Sequence, residues 1–133
     1  MRILIVEDDA AGSFVLKKFL EPVGEVELAK DGEAAVEQFK SALENDNPFH
    51  LVFLDIMLPK LDGQDVLKKI RMFEKDRGVK PVDSAKVVMT TALSDPNNVL
   101  NAFNEGRADS YLVKPIEHVK LMQELKKIGI AVD

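Results

Sequence analysis

The sequence predicts an α/β fold, a doubly wound five-stranded parallel sheet covered by helices on both faces. Three observations predict it. Five short apolar runs of strand length recur along the chain: RILIV (2–6), EVELA (25–29), LVFLD (51–55), KVVMTT (86–91) and SYLVK (110–114). Between them lie stretches whose apolar residues repeat at helical spacing. The first, third and fourth runs are apolar on both faces, as strands buried between two helical layers must be.

The elements follow in order. After the first run, Val15, Leu16, Phe19 and Leu20 share one helical face. After the second, Asp31-Gly32 opens a helix that carries Val36, Phe39 and Leu43. Asp62-Gly63 opens the third, with Val66, Leu67, Ile70 and Phe73 on one side. Ser94-Asp95-Pro96 precedes a fourth face of Val99, Ala102 and Phe103, and Leu121, Met122, Leu125 and Ile128 make a fifth. The acids and serine are helix-start chemistry, because their side-chain oxygens accept from free N–H groups of the first turn. The pattern is (βα) five times over, without a linker or second domain. Right-handed crossovers leave few layouts, and the flavodoxin-like order 2-1-3-4-5 is the natural one for a sheet of this size. The connection KDRGVKPVDSA (75–85) is long for a helix-to-strand loop. It falls at the opposite end from the strands' carboxyl ends and reads as peripheral.

Composition narrows the function classes. The chain has 133 residues, 46% hydrophobic and 31% charged, the balance of one globular domain. It has no cysteine, which excludes disulfides and thiolate metal sites. His50 and His118 are far apart and form no ligand cluster. A net charge of −5 without a basic stripe argues against nucleic acid as a partner. No run has the length of a membrane span and no signal-peptide pattern opens the chain, so the expectation is a cytoplasmic protein.

Chemistry gathers at one rim. Ligands of open α/β sheets bind outside the carboxyl ends of the strands, and there the sequence places Glu7-Asp8-Asp9, Asp55, Thr90-Thr91-Ala92 and Lys114-Pro115. An acid after a strand is most often a helix cap, a lone threonine a strand residue and a lone lysine a solvated one. Asp55 is less comfortable as a turn residue, because Ile56, Met57 and Leu58 prolong the apolar run and an acid embedded there needs a counter-charge. Crowded carboxylates repel unless a cation neutralises them. A hard divalent ion such as Mg2+ suits such a site. With a lysine and a hydroxyl added, the set is equipped for phosphoryl transfer onto aspartate.

These motifs resemble the receiver domain of two-component response regulators, over essentially the whole chain. ILIVEDD resembles its acidic first strand and LVFLDIMLPKLDG its phosphoacceptor strand. VVMTTA resembles its switch strand and YLVKP its last strand. The resemblance implies Asp55 as phosphoacceptor, with Asp8 contacting Mg2+ directly and Glu7 largely through water. It implies the backbone carbonyl of Met57 as a further ligand and Thr91 as the switch hydroxyl, with Thr90 the weaker candidate. Lys114 is implied as the conserved-motif lysine, Pro115 as a cis-proline that holds it, and Tyr111 as the aromatic that follows the threonine. Arg107 stands where the family commonly has glycine, a departure that touches the turn before the last strand. Met57 and Leu93, two places past Asp55 and Thr91, are both apolar, which implies a long-lived acyl phosphate.

The functional expectation is a phosphorylation-activated switch. It accepts a phosphoryl group from a histidine kinase or phosphotransfer protein, hydrolyses it slowly, and signals to an unidentified protein through the face of the fourth helix, last strand and fifth helix. A phosphorylation-dependent dimer through that face is left open. The chain ends soon after the fifth helix, so a single domain over 1–133 without an output domain is expected. The rivals are a phosphorylation-independent binding module that keeps the fold, and an aspartyl hydrolase. The hydrolase would want a second aspartate where Met57 stands.

Overall fold

The computed structural model describes residues 1–58, 61–92 and 108–132. Five parallel strands, β1 (Arg2–Val6), β2 (Glu25–Ala29), β3 (Leu51–Asp55), β4 (Lys86–Ala92) and β5 (Ser110–Lys114), form one sheet in the order 2-1-3-4-5. Helices α1 (Ala10–Leu20), α2 (Gly32–Glu44), α3 (Gly63–Asp76) and α4 (His118–Lys127) cover its faces. The fourth predicted helix, at Val99–Phe103, lies outside the described residues, as does the start signal Ser94-Asp95-Pro96.

The strands alternate faithfully between two cores. Leu4, Val6, Val52, Leu54, Val87 and Met89 pack with Phe39, Val66, Leu67 and Ile70 of α2 and α3. Ile3, Ile5, Leu51, Phe53, Val88 and Leu112 pack on the other face with Leu16, Leu20, Leu121 and Leu125 of α1 and α4. The β1, β3 and β4 runs are apolar throughout because each feeds both cores. Val15 is 47% exposed, so the buried face of α1 is narrower than its apolar residues suggest: Ser13, Leu16 and Leu20 form its floor.

The caps set where the helices begin. Asp9 accepts from the Gly12 amide at 3.1 Å, Asp31 from Ala34 at 2.8 Å and Asp62 from Asp65 at 3.0 Å. Gly63 has a further reason to be glycine. A Cβ there would lie 2.2 Å from the Asp55 carbonyl oxygen, so α3 could not start against the end of β3. The close approach is fixed by the Gly63 amide, which donates to Ile56 O at 2.9 Å.

The long connection after α3 is more ordered than a loop. It turns through a 3-10 helix, Pro81–Asp83, and is fastened by Glu74 of α3. Glu74 is 4% exposed, accepts from the Ala85 amide at 2.7 Å and pairs with Arg71 at 2.8 Å.

Candidate functional site at the carboxyl ends of the strands

Period-two alternation carries four polar residues to one place. Glu7 continues the side of Ile3 and Ile5, Asp55 that of Leu51 and Phe53, Thr90 that of Val88, and Lys114 that of Leu112. All four therefore stand at the carboxyl ends of their strands, on the α1–α4 side of the sheet. Asp55 pairs in register with Thr90.

Lys114 ties the group together. Its Nζ donates to Asp55 Oδ2 at 2.8 Å and to Glu7 Oε1 at 2.5 Å. Both carboxylates are buried, Asp55 at 4% and Glu7 at 7% exposed. The other Asp55 oxygen, Oδ1, accepts from the Met57 amide at 3.0 Å. Glu7 Oε2 is buried and accepts nothing among the described residues. Two buried carboxylates thus share one ammonium, and one oxygen is left over.

The electrostatics follow from that shortage. Burial, with the neighbouring Asp55 carboxylate, pushes Glu7 up from 4.5 to about 7 in spite of Lys114. Burial pulls the Lys114 ammonium down, but its hydrogen bonds to Asp55 and Glu7 and their charges outweigh it and hold the ammonium above its ordinary range. Glu7, Asp8 and Asp55 each bring a carboxylate oxygen within 4.8 Å of the others, and Asp8 is exposed. Three carboxylates against one lysine, with an unanswered buried oxygen among them, suit a hard cation that accepts oxygen ligands. The acidic cluster could hold a metal.

The remaining predicted residues divide by face. Thr91 continues Val87 and Met89, so it stands on the α2–α3 side, 2% exposed and in register with Val113. Tyr111 lies on the same side two residues earlier on β5, 45% exposed. The Lys114–Pro115 peptide is cis. Thr90 lines a cavity of about 470 Å³ together with Glu7, Asp9, Lys114 and Pro115, walled by Val15 and Ile116. The signal that separates Thr90 from Thr91 is in the sequence, the strand alternation of KVVMTT (86–91). The Met57 side chain is 67% exposed, so its amide, not its thioether, engages Asp55. Leu93 and Arg107 lie outside the described residues.

The response regulator receiver domain family matches residues 3–126. The chain belongs to that family. Among curated relatives it is 35% identical to the probable transcriptional regulator ycf27 of Porphyridium aerugineum, over 99% of this chain and 49% of that one. It is 31% identical to the osmosensing histidine protein kinase SLN1 of Saccharomyces cerevisiae, over 91% of this chain but 9% of the kinase. The chain thus spans half or less of the length of these two relatives. A receiver domain protein of Methanospirillum hungatei superposes with a TM-score of 0.76 at 31% identity, covering 95% of this chain and 90% of that one. The receiver domain of Ssk1 from Saccharomyces cerevisiae, solved with the phosphotransfer protein Ypd1, gives 0.81 at 28%, covering 100% and 93%. This receiver is therefore homologous to those of both response regulators and histidine kinases. No helix among the described residues is long and apolar enough to cross a membrane.

Proposed function

We propose that this receiver domain is a phosphorylation-activated switch whose acceptor is Asp55. The carrying observation is the lysine shared between Asp55 and Glu7 beside an unanswered carboxylate oxygen at the mouth of the sheet. In the transfer, an Asp55 carboxylate oxygen forms a bond to phosphorus as the P–N bond of a donor's phosphohistidine breaks, and the imidazole leaves with that electron pair. Lys114 orients Asp55 through its hydrogen bond to Oδ2, and the Met57 amide fixes the other oxygen. Glu7, Asp8, Asp55 and the Met57 carbonyl would hold Mg2+, which when bound supplies charge neutralisation at the transferred group. Lys114 reaches Asp55 from the α1–α4 side, where Thr90 also stands, and Thr91 follows Thr90 at the end of β4 on the other face.

The readout lies on the Thr91 side. A phosphoryl group gives the Thr91 hydroxyl a new acceptor, and Tyr111, half-exposed on the same face, is placed to follow. That biases the face of the predicted fourth helix, β5 and α4 toward a protein partner, a local charge event with a wider consequence. The donor is a histidine kinase or a phosphotransfer protein, the class that the Ssk1 receiver meets in Ypd1. The chain would act in the cytoplasm and signal through protein contacts.

The test is incubation with acetyl phosphate, with and without Mg2+, followed by intact mass. One added phosphate in the presence of Mg2+, absent in Asp55→Asn, is the expected result. An unmodified wild-type chain would favour the phosphorylation-independent binding module.

A further inference from the structure

The chemistry described so far leaves one buried hydroxyl at the mouth of the sheet without a task. Thr90 is 3% exposed and is the register partner of Asp55 across the β3–β4 ladder. Neighbouring strands lie about 4.8 Å apart, and in-register side chains leave the sheet on the same face. The Thr90 side chain therefore stands beside that of Asp55, on the face from which Lys114 arrives. Thr90, Glu7 and Lys114 share the wall of the 470 Å³ cavity.

The Thr90 hydroxyl has no hydrogen-bond partner among the described residues. The acceptors nearest in the fold are engaged elsewhere: Asp55 Oδ1 by the Met57 amide, Asp55 Oδ2 and Glu7 Oε1 by Lys114. A buried hydroxyl without a partner costs stability, and an apolar side chain of the same shape would avoid that cost. Valine has that shape, and Thr90 continues the side of Val88 on the same strand. A hydroxyl is kept here without a partner in the resting chain. Its register neighbour is the residue that would gain a phosphoryl group, which brings acceptor oxygens to the same place.

We propose that Thr90 is a second phosphoryl-binding hydroxyl, which donates to a phosphoryl oxygen on Asp55 from the Lys114 side. The inference rests on Asp55 as the acceptor. An unpaired donor in the resting chain and a charge-assisted hydrogen bond in the phosphorylated one both favour the phosphorylated chain. Thr91 has a different task, because it stands on the α2–α3 side with Tyr111 and carries the readout. Thr90 is paired instead with the buried Leu112 on β5, so it sets how firmly the group is held and not where the signal goes.

The test is beryllofluoride, a mimic of a phosphoryl group on a carboxylate, titrated with Mg2+ present and followed by the fluorine resonance of the bound form. Thr90→Val should weaken binding by about tenfold relative to wild type, and Thr90→Ser should bind as wild type does. Without beryllofluoride, the denaturation midpoint of Thr90→Val should equal or exceed that of wild type. Thr90→Ala should show the same weakening, and it replaces the valine variant in the titration if that variant does not fold. Equal binding by wild type and the variants that lack the hydroxyl overturns the proposal. So does equal weakening in Thr90→Ser, which would assign the effect to side-chain shape. A lowered midpoint in Thr90→Val overturns it as well, because the hydroxyl would then serve the resting fold. A wild-type chain that takes up neither beryllofluoride nor phosphate from acetyl phosphate removes Asp55 as the acceptor, and this proposal with it. Uptake by wild type that is unchanged in the valine variant removes the role of Thr90 alone.

Discussion

Both rims of this sheet bury carboxylates, and the two are built oppositely. At the amino-terminal rim Glu74 is fully answered: one oxygen accepts from the Ala85 amide and the other from Arg71, which also reaches Asp109 at 3.3 Å. At the carboxyl rim Glu7 and Asp55 compete for one lysine, and Glu7 Oε2 has no partner among the described residues. Burial is similar at Glu74, Asp55 and Glu7, 4%, 4% and 7% exposed. The number of donors differs. A buried acid with its donors complete holds structure, and one with too few is poised for a cation or a phosphoryl group.

The largest effect that would break this contrast is all-or-none. Asp55→Asn should abolish phosphate incorporation from acetyl phosphate, while Glu74→Gln should keep it, as measured by intact mass. Stability should reverse the order of importance. Glu74→Ala leaves Arg71 partly buried without its nearest carboxylate and should cost about 3–5 kcal/mol, read as a lower denaturation midpoint. Glu7→Gln, without divalent cations at neutral pH, should be neutral or stabilising. If Glu7→Gln costs as much as Glu74→Ala, the carboxyl rim is not short of donors and the comparison fails.

A smaller effect sharpens it through pH. Glu7 holds its proton more tightly folded than unfolded, so the folded state binds more protons between about 4.5 and about 7. Stability of the cation-free chain should therefore fall as pH rises through that window and level off above it. Glu7→Gln should remove that part of the slope. Mg2+ should flatten it too, because a cation beside Glu7 favours the ionised form. Lys114, held above its ordinary value of 10.5, contributes stability that is fully present below that pH and is lost only as pH climbs through its folded value. A denaturation series in pH that rises between 4.5 and 7 would contradict the assignment at Glu7.

The sheet was readable because each strand announces itself twice, by β-branched apolar content and by the acid, threonine or lysine that ends it. All five runs became strands, and Asp9, Asp31 and Asp62 became caps. The gathering of Glu7, Asp55 and Lys114 was readable for the same reason: parallel strands end at one rim. What the sequence hid was the sign of charged residues on helical stripes. Glu74 lies four residues after Ile70 and seven after Leu67, on the buried stripe of α3, where an acid reads as an interruption until its partners are known. Of those partners, Arg71 is three residues back on the same helix, but the Ala85 amide and Asp109, which Arg71 also reaches, come from other segments that no local pattern brings to α3. The two threonines are told apart by another signal. Family likeness favoured Thr91, and only the alternation of β4 shows that Thr90 faces the lysine while Thr91 faces the other core.

The smallest expected effect concerns how long a phosphoryl group would stay on Asp55. Hydrolysis needs a water lined up behind phosphorus, and a polar side chain near the site can hold it there. Met57 stands two residues past Asp55, 67% exposed, and its thioether offers no donor and only a weak acceptor. Leu93, two past Thr91, is apolar as well, although it lies outside the described residues. Met57→Asn and Leu93→Glu should each speed loss of phosphate severalfold, followed by intact mass after the phosphodonor is removed. Met57→Asn leaves the Lys114 bridge in place, so in that variant the extent of phosphorylation at short times should stay as in wild type. If both variants dephosphorylate at the wild-type rate, water positioning at these two places does not set the lifetime. The oversubscribed Lys114, which must keep a protonated hold on two carboxylates, would then be the group to vary next.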